Sequence, residues 1–173
     1  DLITCNSWEH VWLNEGFATY MTCLWMERRD GFAAYQQTVK GSMDGTAWAD
    51  KPDAPVQVGM VSKIYTHPWE TFRRPANPYG KGCSILHMLR MKLGDAVFFS
   101  GLKAYVDQHK FQTVETPDLR RTLEEIIGPD AARSIDPYVR EIRRTQQPQR
   151  YERQLPSPQG VRWIEVQLLP HFD

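Results

Sequence analysis

Apolar residues recur every three to four positions through most of the first 145 residues, and this spacing predicts helices. The first predicted helix carries one apolar stripe, formed by Leu13, Phe17, Tyr20, Met21 and Leu24. It is expected to end at Asp30-Gly31, because glycine readily adopts the positive φ of a helix end. A second helix is predicted for residues 32–43. Proline and glycine interrupt residues 44–78, which are interpreted as a long packed loop region.

Three further helices are predicted after this loop. Their apolar stripes are Ile85, Leu86, Leu89 and Leu93; Phe98, Leu102, Tyr105 and Val106; and Leu119, Leu123 and Ile126. Gly94 is expected to close the first of them and Asp95 to cap the next. Thr116-Pro117-Asp118 is a helix-start pattern, with a capping residue, proline and then an acid. A last helix starts or restarts at Asp136-Pro137; if it runs through residues 131–142, it is kinked at Pro137.

The composition changes after Arg144. Residues 145–148 resemble a linker, residues 155–160 suit a hairpin turn, and residues 161–169 alternate enough to form a strand. A lone hairpin cannot bury an apolar face, so this strand is expected to belong to a sheet mostly outside the chain. The predicted organisation is a helical domain over 1–144, followed by a linker and the start of a β domain over 145–173.

Composition and charge exclude several classes of protein. Twenty-one basic residues balance twenty-one acidic ones, so the basic excess of a nucleic-acid-binding protein is missing. No apolar run is long enough to span a membrane. The three cysteines show no CxxC spacing, which favours buried apolar thiols and a reducing compartment; a secreted protein with one bridge stays open. The chain begins without Met or a signal pattern and is interpreted as an internal or processed segment.

The most informative string is Trp12–Tyr20, WLNEGFATY. It places Glu15 in the first turns of a helix built otherwise from apolar and small residues. Glu15, Ala18, Thr19 and Thr22 line a strip separate from the apolar stripe. If both faces are packed, Glu15 lies in the interior and needs a cation or hydrogen-bond donors. The alternative is an ordinary helix-start carboxylate favoured by the helix dipole.

This string resembles the second half of the zinc signature of the gluzincin aminopeptidases, the family of aminopeptidase N. There HExxH is followed, after a spacer, by Glu inside a W-L-N-E-G-F-A string. The resemblance implies that Glu15 is the third protein ligand of one catalytic Zn²⁺. No HExxH occurs in the sequence. The two His ligands and the general-base Glu are therefore expected upstream of Asp1.

A second string, Pro78–Gly82 (PYGKG), resembles the Y-x-K-G motif that follows the zinc signature in the same family. The resemblance implies that Tyr79 donates a hydrogen bond to the oxyanion of the tetrahedral intermediate. The alternative is a tyrosine packed at a helix start. The resemblance covers residues 1 to about 142 and implies the mainly α, helical second half of a thermolysin-like catalytic domain, with a short β segment at the C-terminus.

The resemblance implies that the chain is a fragment of a zinc-dependent aminopeptidase. Such an enzyme hydrolyses N-terminal residues from peptides through zinc-activated water. The implied partners are peptides with a free N-terminus and the remainder of the same polypeptide, with no nucleic acid. Two alternatives stay open: a noncatalytic helical scaffold, and a zinc hydrolase of the same fold acting on a non-peptide substrate. Thr22 favours the scaffold, because the family usually has an acid there that supports a ligand His.

Overall fold

The computed structural model describes residues 2–47, 60–63, 65–74 and 76–128, and the backbone of 149–157 and 160–168. The chain divides into two compact units, Asp1–Pro129 and Asp130–Phe172. The predicted boundary at residue 144 and the predicted helix over 131–142 lie outside the described residues.

The first unit is mainly helical. Its helices are α1 (Trp12–Asp30), α2 (Phe32–Thr46), α3 (Trp69–Arg73), α4 (Gly80–Leu93), α5 (Asp95–His109) and α6 over residues 116–128. A short 3-10 helix (Trp8–His10) precedes α1. Strands β1 (Thr4–Cys5) and β2 (Thr113–Val114) pair in parallel. The mainly α fold expected from the sequence is confirmed.

The predicted helix ends agree with the structure where glycine is required. Gly31 ends α1 with φ 89° and Gly94 ends α4 with φ 80°, a range that side chains rarely adopt. Helix α2 continues three residues past the predicted Met43. The loop predicted for 44–78 contains α3 within its described part.

Asp95 does not cap α5, so that prediction is wrong. Gly94 is the capping residue and Asp95 is the first helical residue. The Asp95 carboxylate instead accepts hydrogen bonds from Arg90 Nε and Nη2, at 2.8 and 2.9 Å. A guanidinium binds the carboxylate more strongly than a backbone amide does. The start of α6 also differs from the prediction, which made Thr116 the capping residue. Thr116 is instead the first helical residue, and the Asp118 carboxylate accepts the Glu115 backbone N–H at 2.7 Å.

The core is formed by α1, α2, α4, α5 and α6. Its fully buried side chains include Tyr20, Tyr35, Leu86 and Phe98. The predicted stripes point to this core, but their ends do not: Met21, Val106 and Ile126 are more than a third exposed. On α4 the buried face is centred on Cys83, Leu86 and Arg90, while Ile85 and Leu89 are only partly buried.

The second unit contains an antiparallel hairpin of β3 (Gln149–Ser157) and β4 (Gly160–Leu168). Its register pairs Gln149 with Leu168 and Ser157 with Gly160. The predicted strand is confirmed to within one residue. The predicted turn over 155–160 is too long, because residues 155–157 belong to β3. No helix within the described ranges has the length and apolar character needed to cross a membrane.

Candidate active site

Glu15 lies in the first turn of α1, where its backbone N–H donates to the Val11 carbonyl at 3.1 Å. Its side chain is half-buried and lines a groove of about 360 Å³, together with Leu2, Ile3, Ala18 and others. Within the described ranges, no hydrogen bond or ion pair of the Glu15 carboxylate is found. The carboxylate is therefore available to an external cation.

The strip that contains Glu15 is not packed in the described structure. Ala18 and Thr22 are exposed, and Thr19 is half-buried. The hydroxyls of Thr19 and Thr22 donate to carbonyls one turn earlier in α1, at 2.8 and 3.2 Å. The condition of two packed faces is therefore not met in the described residues, and Glu15 is half-buried instead of interior. Thr22 directs its polar group back to its own helix.

The neighbours of Glu15 hold α1 in place. Trp12 is buried and its Nε1–H donates to Thr116 Oγ1 at 2.8 Å, which ties α1 to the start of α6. Asn14 Oδ1 accepts the Cys5 backbone N–H at 2.9 Å, which ties α1 to β1. The Phe17 ring stacks on Tyr105 of α5, with ring centroids 5.8 Å apart. Each of these side chains has a structural partner, whereas the Glu15 carboxylate has none in the described part of the chain.

Gly16 brings α1 against α4. A Cβ atom at Gly16 would lie 2.8 Å from the Gly82 Cα, and a Cβ at Gly82 would lie 2.8 Å from the Gly16 Cα. Real Cβ atoms do not approach that closely, so both positions require glycine for this helix contact. The contact joins the residue after Glu15 to the helix that begins beside Tyr79.

Tyr79 immediately precedes α4, and Asn77 organises this end of the helix. Asn77 Oδ1 accepts the backbone N–H groups of Tyr79 and Gly80 at 3.1 and 2.9 Å. Pro78 follows this cap at a position where its missing N–H costs nothing. The Tyr79 side chain is 41% exposed, and its ring lies 6.0 Å from the Phe72 ring of α3.

Glu15 and Tyr79 lie within electrostatic range of each other. Partial burial raises the pKa of the Tyr79 phenol, and the negative charge of Glu15 raises it further. The phenol is therefore protonated at neutral pH and can donate a hydrogen bond. No hydrogen bond of this hydroxyl is found within the residues that the structure describes.

The described residues contain a candidate ligand but not a complete metal site. No group of three His, Cys, Asp or Glu side chains suited to a metal is found among them. His10 is hydrogen bonded to Thr116, His87 to Tyr35 and His109 to Thr122. These three histidines are packing and hydrogen-bonding residues. Among the described acidic residues, Glu15 is the candidate ligand, an oxygen donor for which no hydrogen bond or ion pair is found there.

Sequence reasoning missed Phe72 and the role of the glycine pair. Phe72 contacts both Trp8 and Tyr79, so α3 connects the start of the chain to the start of α4. The sequence did contain a signal for the glycine pair. Each motif places a glycine within a helix, where glycine is destabilising, and such a position indicates close packing. No periodicity indicated Phe72, and its contact with Trp8 joins residues that are far apart in sequence.

Three comparisons describe what the chain is similar to. The family model "Peptidase family M1 domain" matches residues 1–141. The chain is 32% identical over 141 residues to "Aminopeptidase N" of Lactococcus lactis subsp. lactis, covering 80% of this chain and 16% of that protein. It is 29% identical over 152 residues to "Aminopeptidase 2" of Candida albicans, covering 82% of this chain and 15% of that protein.

The fold is similar to a solved structure, the M1 zinc metallopeptidase from Deinococcus radiodurans. The TM-score is 0.56 with 28% identity, covering 80% of this chain and 29% of that one. The chain thus spans less than a fifth of the length of the curated relatives it matches.

Proposed function

This chain belongs to peptidase family M1, and on that premise we propose that it forms part of the catalytic domain of a zinc-dependent aminopeptidase. The full protein would remove N-terminal residues from peptides that have a free N-terminus. The observation that carries this proposal is the Glu15 carboxylate, which lacks a partner in the described residues, whereas its motif neighbours Trp12, Asn14 and Phe17 are engaged.

Glu15 is proposed as one protein ligand of a single Zn²⁺. A carboxylate oxygen is an ordinary zinc ligand, and catalytic zinc sites combine three protein ligands with an open position. The fit is supported by the half-buried position of Glu15 on the groove wall. The remaining ligands would come from the rest of the polypeptide. Zinc supplies a Lewis acid that polarises the scissile carbonyl.

Tyr79 is proposed to donate its phenolic O–H to the carbonyl oxygen as negative charge develops there. A tyrosine phenol is protonated at neutral pH, and the upward direction of the Tyr79 pKa is consistent with its acting as a donor. Two contacts restrict where the Tyr79 ring lies: its contact with the Phe72 ring, and the hydrogen bond from the Tyr79 backbone N–H to Asn77 Oδ1. Donors fixed in advance stabilise a transition state without the cost of reorganising at the moment of reaction.

The division of the chain is also proposed to be functional. Residues 1–144 would complete the helical part of the catalytic domain, and residues 145–173 would begin a following β domain. The hairpin of β3 and β4 supports this division, because two strands alone rarely form a stable sheet in water.

One observation favours a second candidate, a noncatalytic scaffold. Thr22 bonds to its own helix and offers no carboxylate that could support a histidine ligand. Loss of such support weakens metal binding by about 10–100-fold in metal sites of this kind. The two candidates differ in zinc content and in hydrolysis of aminoacyl amides by the full-length protein.

The test is Glu15→Gln in the full-length protein, which keeps the size of the side chain but removes its charge. We expect substoichiometric zinc by elemental analysis after dialysis and loss of aminoacyl-amide hydrolysis. Glu9→Gln is the matched control, because Glu9 is bonded to Ser7 and lies 3.4 Å from His10. One zinc per chain in both variants would contradict the assignment of Glu15. A wild-type protein without zinc or hydrolysis would favour the scaffold.

A further inference from the structure

Two cysteines from the paired motif helices lie in contact inside the core. Cys23 of α1 and Cys83 of α4 have their Sγ atoms 3.6 Å apart, although they are 60 residues apart in sequence. Their exposures are 1% and 0%. The mechanism proposed above uses neither thiol.

The surroundings hold the two sulfurs face to face. The backbones of α1 and α4 are already in contact at Gly16 and Gly82, next to Cys83. The Cys23 sulfur also lies 3.5 Å from the Thr19 carbonyl oxygen of its own helix, so its single S–H can be donated either to that oxygen or to Cys83. Cys5 is separate: its backbone N–H bonds to Asn14, and no contact of its sulfur with Cys23 or Cys83 is found in the described residues.

We propose that Cys23 and Cys83 are an oxidative modification site that closes to an intramolecular disulfide bond. A disulfide requires the sulfurs about 2.0 Å apart, so they must approach by roughly 1.6 Å. Side-chain rotation about two Cα–Cβ bonds supplies movement of this size. The two sulfurs are already in contact at 3.6 Å, which leaves little separation to overcome.

The reaction balances with hydrogen peroxide as the oxidant. The Cys83 thiolate attacks one peroxide oxygen, which forms a sulfenic acid and, with the released proton, one water. The Cys23 thiol then attacks the sulfenic sulfur, forms the S–S bond and releases the second water. The hydrogen bond from Cys23 holds the pKa of the Cys83 thiol below its ordinary value, which favours Cys83 as the first nucleophile.

Burial decides which oxidants can react. Neither sulfur is open to a bulky thiol reagent in the folded chain, whereas peroxide is close to water in size. The reaction is therefore expected to be slower than oxidation of a partly exposed thiol such as Cys5. Once formed, the bond would join the helix of Glu15 to the helix that follows Tyr79, and it would close a long loop in the unfolded chain.

The test uses the full-length protein with Cys5→Ser. No Lys or Arg lies between Cys5 and Cys23, so trypsin leaves both in one peptide, and the substitution removes that ambiguity. The protein is treated with peroxide, alkylated in denaturant and digested without reduction. We expect a cross-link between the peptide ending at Arg28 and the peptide 82–90, with a mass lower by two hydrogens and sensitivity to dithiothreitol.

A second measurement follows stability. The oxidised protein should unfold at higher urea concentration than the reduced protein, and dithiothreitol should remove the difference. The matched variant Cys23→Ser should show neither the cross-link nor the stability shift. The proposal is overturned if oxidation leaves both thiols fully alkylatable, produces only sulfinic acids, or pairs Cys83 with another cysteine. Peptide mapping of the cross-link in the Cys5→Ser protein tests the proposal even if Cys23→Ser does not fold.

Discussion

Gly16 of α1 and Gly82 of α4 lie in mutual backbone contact, each at a position where a Cβ atom would be 2.8 Å from the Cα of the other. Gly16 follows Glu15 directly, and Gly82 comes three residues after Tyr79. The separation of the two candidate functional residues therefore depends on a contact that only glycine permits on both sides.

The first prediction is that Gly82→Ala separates these helices. The added methyl group meets backbone, which cannot rotate away, so we expect a cost of about 1–3 kcal/mol in unfolding free energy. In the full-length protein the misplacement of Glu15 relative to Tyr79 should lower kcat/KM by about 100-fold. Urea unfolding and steady-state kinetics measure the two effects.

The control for this substitution is Gly41→Ala. Gly41 is also a helical glycine, on α2, but a Cβ atom there meets nothing within 4 Å. We expect it to stabilise the helix by about 0.5–1 kcal/mol without changing activity. Equal stability of both variants would show that the contact between α1 and α4 is not tight.

The second prediction concerns Tyr79→Phe in the full-length protein. The change keeps the ring that contacts Phe72 and removes only the hydroxyl. Loss of a donor that acts mainly in the transition state should lower kcat by about 100–1,000-fold and leave KM nearly unchanged. Zinc content and unfolding midpoint should stay at the wild-type values.

Tyr65→Phe, in the preceding loop, is the matched control and should keep wild-type kinetics. A Tyr79→Phe enzyme with full kcat and a raised KM would make Tyr79 a substrate-binding residue instead. Retention of more than about a tenth of kcat would also reject the oxyanion role.

The third prediction is a pH dependence of stability through His87. Burial and then the Arg90 charge lower the pKa of His87 from 6.5 to about 4. The unfolded chain therefore binds the proton more readily than the folded chain. The contribution of neutral His87 to the unfolding free energy is fully present above pH 6.5. It falls as the pH approaches 4, by at most about 3 kcal/mol.

Urea unfolding of the wild type and of His87→Gln between pH 7.5 and 4.5 measures this effect. The variant should lose less stability than the wild type over this interval, because glutamine does not titrate. Its side chain can still bond to Tyr35, whose hydroxyl lies 2.8 Å from His87 Nδ1. Parallel pH curves for the two proteins would assign the acid sensitivity to other groups.

The fourth prediction concerns the buried guanidinium of Arg90. It donates to Glu27 at 2.6 and 3.0 Å and to Asp95 at 2.8 and 2.9 Å, and it lies 4.8 Å from the centre of the Tyr35 ring. Lysine keeps the charge but cannot bond both carboxylates in this forked geometry. Arg90→Lys should therefore destabilise the protein by about 1.5–3 kcal/mol.

Arg29→Lys provides the comparison, since Arg29 bonds to Asp30 at the surface. It should cause little change in the urea midpoint, because exposed ion pairs contribute little to stability. A similar effect of both substitutions would show that the Arg90 cluster is not the stabilising feature that its burial indicates.

Several features of the fold could be predicted because they depend on residues close together in the chain. The apolar period predicted α1, α4, α5 and α6, and the glycines at 31 and 94 marked two helix ends through their backbone freedom. The motif strings drew attention to Glu15 and Tyr79 and, by resemblance, to the family. The comparisons confirm the family over residues 1–141.

Local patterns did not decide the outcome where a residue of another element binds the same group or has to cover the same face. Asp95 has the position and chemistry of a helix cap, but Arg90 from α4 binds its carboxylate. The strip of Glu15 and Thr22 could pack only if another element covered it, and no described element does so. Which residues of α4 are buried likewise depends on the helices that pack around it.

The sequence by itself determined which segments are helical and which residues carry candidate chemistry, because backbone propensity and side-chain type are local properties. Only the tertiary structure decided that Gly16 meets Gly82, that Cys23 faces Cys83 and that Arg90 is buried between two carboxylates. Except for the Arg90–Asp95 pair, these contacts join residues far apart in the chain. Their geometry depends on how whole helices pack, which the spacing within any one helix does not specify.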